Sequence, residues 1–124
     1  VYDLCDLRRL ILDLRRFEET LKEQTNLSLN EALCLCQSGK GNLEPSNLAQ
    51  ELEISPSRLS RILDSLETRG FLVRSISEED RRIINIDLTE KGQQTVETLH
   101  CTNISIPRHL EEAIKTLHET GANR

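Results

Sequence analysis

Leu48-Ala49-Gln50-Glu51-Leu52-Glu53-Ile54-Ser55-Pro56-Ser57-Arg58-Leu59-Ser60-Arg61-Ile62-Leu63-Asp64-Ser65-Leu66-Glu67-Thr68-Arg69-Gly70-Phe71-Leu72 is the stretch on which the fold turns. It reads as a short helix, a tight turn, a second helix and the start of a strand. Leu48, Ala49 and Leu52 give the first helix an inward face, and Pro45 suits its first turn, where no amide is needed. Ser55 follows as an N-cap and Pro56 as the first residue of the next helix. Over 56–69, Leu59, Ile62, Leu63 and Leu66 fall on one face. Ser57, Arg58, Arg61, Asp64 and Ser65 fall on the other. Gly70 supplies the left-handed residue that commonly ends a helix.

Past Gly70 the apolar period changes from 3.6 to 2. Residues 71–76 read as one strand and 84–88 as the next, with the charged loop Ser77-Glu78-Glu79-Asp80-Arg81-Arg82 between them. Leu43 is a candidate for a short third strand. Two helices joined by a tight turn and followed by a hairpin with a basic tip make a winged helix-turn-helix. The expected fold is mainly α with a small antiparallel β wing (α+β), about six helices and a two- to three-stranded sheet.

The flanks supply the remaining helices. From Tyr2 to Gln24, Leu4, Leu7, Ile11, Leu14 and Leu21 recur at helical spacing. Arg8, Arg9, Asp13, Arg15, Arg16 and Glu19 lie on the opposite, solvent-facing side. Ser28 with Glu31 three residues on forms a capping-box pattern before a nearly all-apolar helix, which should be the most buried. Thr89 caps a fifth helix. Pro107 starts a sixth, with Leu110, Ala113, Ile114 and Leu117 inward and Gly121 at its end. At 124 residues this is one domain's worth of chain. Its expected parts are 1–27, a winged helix-turn-helix over 28–88 with the wing at 71–88, and 89–124.

Composition narrows the function. With two Phe, one Tyr and no Trp, the core must come from Leu and Ile, which favours packed helices. The longest uncharged apolar runs are too short for a signal peptide or a membrane span, so a cytoplasmic setting without membrane contact is expected. The chain opens on Val1 and not Met, so a few residues are expected to precede it. Its net charge is −5, yet residues 56–74 set four arginines against Asp64 and Glu67, a local net of +2. A basic stripe on an acidic body is compatible with DNA binding. The four cysteines, Cys5, Cys34, Cys36 and Cys101, include no C-x-x-C pair and no zinc-ligand His spacing. Reduced thiols, no metal and no cofactor are expected. No Cys/His pair suitable for a thiol enzyme is readable either.

The helix over 56–69 is shaped to enter a major groove with its N-terminal residues towards base edges. Arg58 and Arg61, three apart, share one face, and each suits a bidentate contact to guanine or a hold on phosphate. Ser55, Ser57 and Ser60 are short enough for close approach. Arg74, Arg81 and Arg82 are the wing cations, with a minor groove or the backbone in reach.

The quoted stretch resembles the DNA-binding core of the MarR family of winged helix-turn-helix transcriptional regulators. So does Glu79-Asp80-Arg81-Arg82 followed by alternating apolar residues and Leu88-Thr89-Glu90-Lys91-Gly92. The resemblance covers the middle of the chain densely and its flanks loosely. It implies a homodimer, built by the first helix and the last two, that reads a pseudo-palindromic double-stranded operator. A repressor released by a small-molecule effector or another signal is the expected mode. It also implies that Asp80 and Arg82 form the wing motif and that Asp64 pairs with Arg82, leaving Arg81 as the freer wing contact. A peroxide-sensing branch carries a reactive cysteine near the start of its first helix, where Cys5 stands, with Cys101 as a candidate resolving partner. Asp3 and Asp6 flank Cys5, however, and neighbouring carboxylates slow thiol oxidation. Two departures stand out. Glu53 occupies a turn position that is often Gly, so the turn either avoids a left-handed residue or carries strain of about 1 kcal/mol. Thr89 to Gly121 is short for two dimerisation helices. The competing reading is a winged helix used only for protein contacts.

Overall fold

Eight elements follow the expected order in a computed structural model that describes residues 3–39, 43–100 and 105–121. They are α1 (Leu4–Thr25), α2 (Leu29–Ser38), α3 (Pro45–Leu52), α4 (Pro56–Thr68), β1 (Leu72–Ile76), β2 (Ile84–Leu88), α5 (Glu90–His100) and α6 (Arg108–Glu119). The chain divides into two units, one formed by α1 and α6 and the other by α2 to α5 with the sheet. Helix α5 is thus grouped with the winged unit, not with α6. None of the described helices is long and apolar enough to cross a membrane.

In the winged unit the core is aliphatic. Leu27, Cys34, Leu35, Leu48, Leu59, Leu63, Leu66 and Leu72 are almost wholly buried, with Phe71 beside them. Helix α2 begins with the anticipated capping box. Ser28 Oγ accepts from the Glu31 N–H at 3.2 Å, and Glu31 Oε1 accepts from the Ser28 N–H at 2.8 Å. The other Glu31 oxygen takes the Arg69 guanidinium at 2.9 Å, tying the start of α2 to the end of α4. Leu33 is half exposed, so α2 is buried on one side and not all round. Burial and the Glu31 charge push the Cys34 thiol up to about 11, which keeps it protonated and inert at neutral pH.

The turn between α3 and α4 adopts the strained alternative. Glu53 has φ 53° and ψ 44°, and the Ile54 N–H closes the end of α3 on the Ala49 carbonyl at 3.0 Å. Ser55 Oγ accepts from the Arg58 N–H at 3.1 Å, and Pro56 occupies the first turn. These local choices fix the direction in which α4 leaves the body.

The hairpin pairs Leu72 with Leu88 and Ile76 with Ile84 in antiparallel register. The expected third strand is reduced to one bridge, Leu43 with Ile84. Where the wing rejoins the body, Thr89 donates through N–H to the Phe71 carbonyl at 3.1 Å and through Oγ1 to the Gly70 carbonyl at 2.5 Å. The same hydroxyl oxygen accepts from the Gly92 N–H at 3.1 Å, capping α5. Lys91 donates to the Arg69 carbonyl at 2.9 Å and sits 4.5 Å from the centre of the Phe71 ring. Gly92 packs so tightly that a Cβ would lie 2.0 Å from the Phe71 carbonyl oxygen. The Leu-Thr-x-x-Gly run is therefore a clamp on the joint between helix and wing.

Two sequence expectations for the other unit are corrected. Asp13, placed on the solvent side of α1, is only 6% exposed; its carboxylate accepts from the backbone of α6. Ile114 and Leu117, expected inward, are 51% and 49% exposed. Within its unit α6 packs on α1, and the half-buried stripe it presents runs through Leu110 and Ala113.

Ser38 is 1% exposed, and its hydroxyl has no hydrogen-bond partner among the described residues. A buried hydroxyl without a partner costs about 1–3 kcal/mol. Ser38→Ala is expected to stabilise the chain by about 1 kcal/mol, raising Tm by roughly 4 °C in thermal denaturation. A lower Tm would show that the hydroxyl contributes something the alanine cannot.

Candidate nucleic-acid interface

Helix α4 turns its buried face, Leu59, Ile62, Leu63 and Leu66, towards the core. This leaves Ser57, Arg58, Ser60 and Arg61 exposed in its first half, immediately after the exposed N-cap Ser55. Neither Arg58 nor Arg61 has a side-chain ion pair among the described residues. The two guanidiniums sit within two turns of the helix N-terminus, whose dipole also favours an anion.

The second half of α4 carries the opposite charge, and the wing answers it. Arg74, on β1, donates from Nε to Glu67 Oε1 at 2.8 Å and from its second nitrogen to Asp64. Burial works against the charge on Arg74, but the hydrogen bonds to Asp64 and Glu67 more than offset it, holding the guanidinium above its ordinary range. In the structure the Arg74 guanidinium, expected among the wing cations, is engaged by Asp64 and Glu67 of α4.

The expected partner of Asp64, Arg82, lies elsewhere. Its Nε and second nitrogen close on the two oxygens of Asp80 at 3.1 and 2.9 Å, and its N–H donates to Asp80 Oδ1 at 3.0 Å. The side-chain hydrogen bond from Arg82, with the backbone one, holds the Asp80 carboxyl below its usual range. The exchange of partners has a simple cause. Arg74 enters the sheet seven residues after Glu67, across the short Gly70 joint, whereas Asp80 and Arg82 share one tight turn.

At the wing tip Arg81 is exposed and has no ion pair among the described residues. Arg82 is also exposed, though clasped by Asp80. Glu78 and Glu79 are exposed beside them, so the tip is not uniformly basic. The arrangement leaves Arg58 and Arg61 on α4 and Arg81 on the wing exposed, and pairs the acids Asp64 and Glu67 of α4 with Arg74. It offers hydrogen-bond donors for phosphate and base edges, not an acid–base pair or a metal cage. No cluster of three or more His, Cys, Asp or Glu suited to a metal exists among the described residues.

Cys5 is exposed near the start of α1, where its N–H donates to the Asp3 carboxylate at 3.0 Å. Cys101, the candidate resolving partner, lies outside the described residues.

Comparison with known proteins adds a family and a fold. A family model described as the MarR family matches residues 27–84. The transcriptional repressor MprA of Escherichia coli K12 is 39% identical over 70 residues, 56% of this chain and 40% of its own. The chain therefore spans less than half the length of that relative. The HTH-type transcriptional regulator YpoP of Bacillus subtilis 168 is 33% identical over 98 residues, 78% of this chain and 70% of its own. A solved structure of a mutant MarR from E. coli complexed with operator DNA is similar in fold. Its TM-score is 0.62 at 20% identity, covering 89% of this chain and 91% of that one.

Proposed function

The chain belongs to the MarR family, and from that premise we propose that it is a homodimeric transcriptional regulator that binds a pseudo-palindromic double-stranded operator. It carries no catalytic role in this reading. The observation that carries the proposal is the exposed pair Arg58 and Arg61 on a capped helix seated on the core, with Arg81 exposed on the wing that follows. A helix of this kind fits the major groove, and a wing guanidinium fits the adjacent minor groove or backbone. Repression is the favoured mode because MprA is a repressor by name.

Dimerisation is supported by the α1–α6 unit. Leu4, Leu7, Ile11 and Leu14 of α1 and Ile114 and Leu117 of α6 are exposed large hydrophobics, and a second copy of the same unit would cover them. A releasing ligand has a candidate place in a cleft of about 310 Å³ between α2, β2 and α5, lined by Cys36, Leu88, Gln93, Val96 and His100 among others. That volume is at the small end of ligand sites.

Selection of bound duplexes from random DNA tests the proposal. The expected product is an inverted repeat with half-sites about 10 bp apart, centre to centre, or a multiple of that. Recovery of no enriched sequence would contradict it. The pairing of Arg74 with Asp64 and Glu67 makes a separate prediction. Arg74→Ala should weaken operator binding about tenfold by loosening the wing and exposing the charge of Asp64 and Glu67, with the salt dependence of binding nearly unchanged. A salt slope reduced by about two, one for each protomer, would mark Arg74 as a phosphate contact instead.

A further inference from the structure

Helix α6 has few means of standing alone. It is 12 residues long and has no buried residue, and isolated helices of that length are marginal in water. Its N-cap position is Pro107, which provides no side-chain acceptor, so the first-turn amides lack a local cap. An acceptor reaches them from α1. Asp13 Oδ2 accepts from the His109 N–H at 3.2 Å. The other oxygen of Asp13 lies 3.8 Å from the Arg16 guanidinium, and the side chain is 8% exposed. The remaining acids of α1, Asp6, Glu18, Glu19 and Glu23, are exposed. Asp13 alone among them is buried, at the positive end of the α6 dipole, where a carboxylate is favoured. A carboxylate kept out of water is costly without such partners.

We infer that Asp13 is the N-cap of α6, supplied from α1, and that α6 holds its helical form only while docked on that carboxylate. On the reading of α1 and α6 as dimer arms, Asp13 becomes a positioning residue for assembly. It keeps Ile114 and Leu117 presented on a folded helix.

The test is amide hydrogen exchange on the full chain, with sedimentation velocity alongside, for wild type, Asp13→Ala and Asp13→Asn. Asparagine caps helices about as well as aspartate. Asp13→Ala should lower protection of the amides from His109 onward in α6 by about tenfold or more, while the α4 amides of the other unit keep theirs. It should also weaken the dimer by about 10- to 100-fold. Asp13→Asn should stay within about threefold of wild type in both readouts. Unchanged α6 protection in Asp13→Ala, equal failure of Asp13→Asn, or loss extending to α4 would each overturn the inference. A wild type that sediments as a monomer, with α6 protection still lost in Asp13→Ala, would sustain the cap and reject the dimer reading.

Discussion

Replacing Arg58 and Arg61 together by alanine is expected to lower affinity for the selected operator by about 10²- to 10⁴-fold. Each good base contact contributes about 1–3 kcal/mol of discrimination, and two neighbouring losses compound. The fold should survive, because both side chains are exposed and neither has an ion pair among the described residues. An unchanged Tm with lost binding is therefore the expected combination. The single variants separate the two kinds of contact left open by the sequence. A base reader relaxes preference at one position of each half-site, whereas a phosphate holder weakens every duplex alike and, lost from both protomers, lowers the salt slope by about two. Fluorescence anisotropy on matched and mismatched duplexes distinguishes them. Affinity within twofold of wild type in the double variant would remove α4 from the interface.

The second large effect lies in stability. Gly92→Ala places a Cβ 2.0 Å from the Phe71 carbonyl oxygen, a backbone atom that cannot step aside as a flexible side chain would. Overpacking of this kind costs about 1–3 kcal/mol, and the displaced α5 also threatens the Thr89 bonds to Gly70 and Phe71. Alanine recovers up to about 1 kcal/mol in helix propensity. The expected net loss is about 2 kcal/mol, seen as a Tm lower by roughly 8 °C. A Tm at or above the wild-type value would show that α5 can move away from the joint freely. Because the clamp sets how the wing leaves the body, operator affinity should fall as well.

These effects show which parts of the account were legible in the chain itself. Signals that act over three or four residues were readable: the Ser28–Glu31 box, the Ser55–Pro56 start, the change of period after Gly70, and the Thr89 cap. Each is enforced by backbone geometry within one turn, so the amino acids alone specify it. Glu53 was readable as a conflict, and the fold resolves it by adopting the left-handed conformation.

Pairings across elements were less legible. Arg74, Arg81 and Arg82 look alike as residues on a hairpin. Only the short joint from α4 into β1 brings Arg74 to Asp64 and Glu67, while the turn at Asp80 retains Arg82. Helical period likewise marks an apolar face without saying what covers it, which is why Ile114 and Leu117 were expected inward. Asp13 was grouped with the polar side of α1 because periodicity treats every carboxylate as solvated. The available clue was indirect: a helix beginning after Pro107 with no Ser, Thr, Asp or Asn at its N-cap needs an acceptor from another element.

The central claim, that guanidiniums of α4 and the wing grip DNA, is tested most directly by measuring operator affinity between about 50 and 200 mM salt. Arg58, Arg61 and Arg81 from each of two protomers predict a logarithmic slope steeper than about −3, with affinity falling by two to three orders of magnitude across that range, roughly. A slope near zero, or no binding to any duplex at about 50 mM salt, would contradict the account.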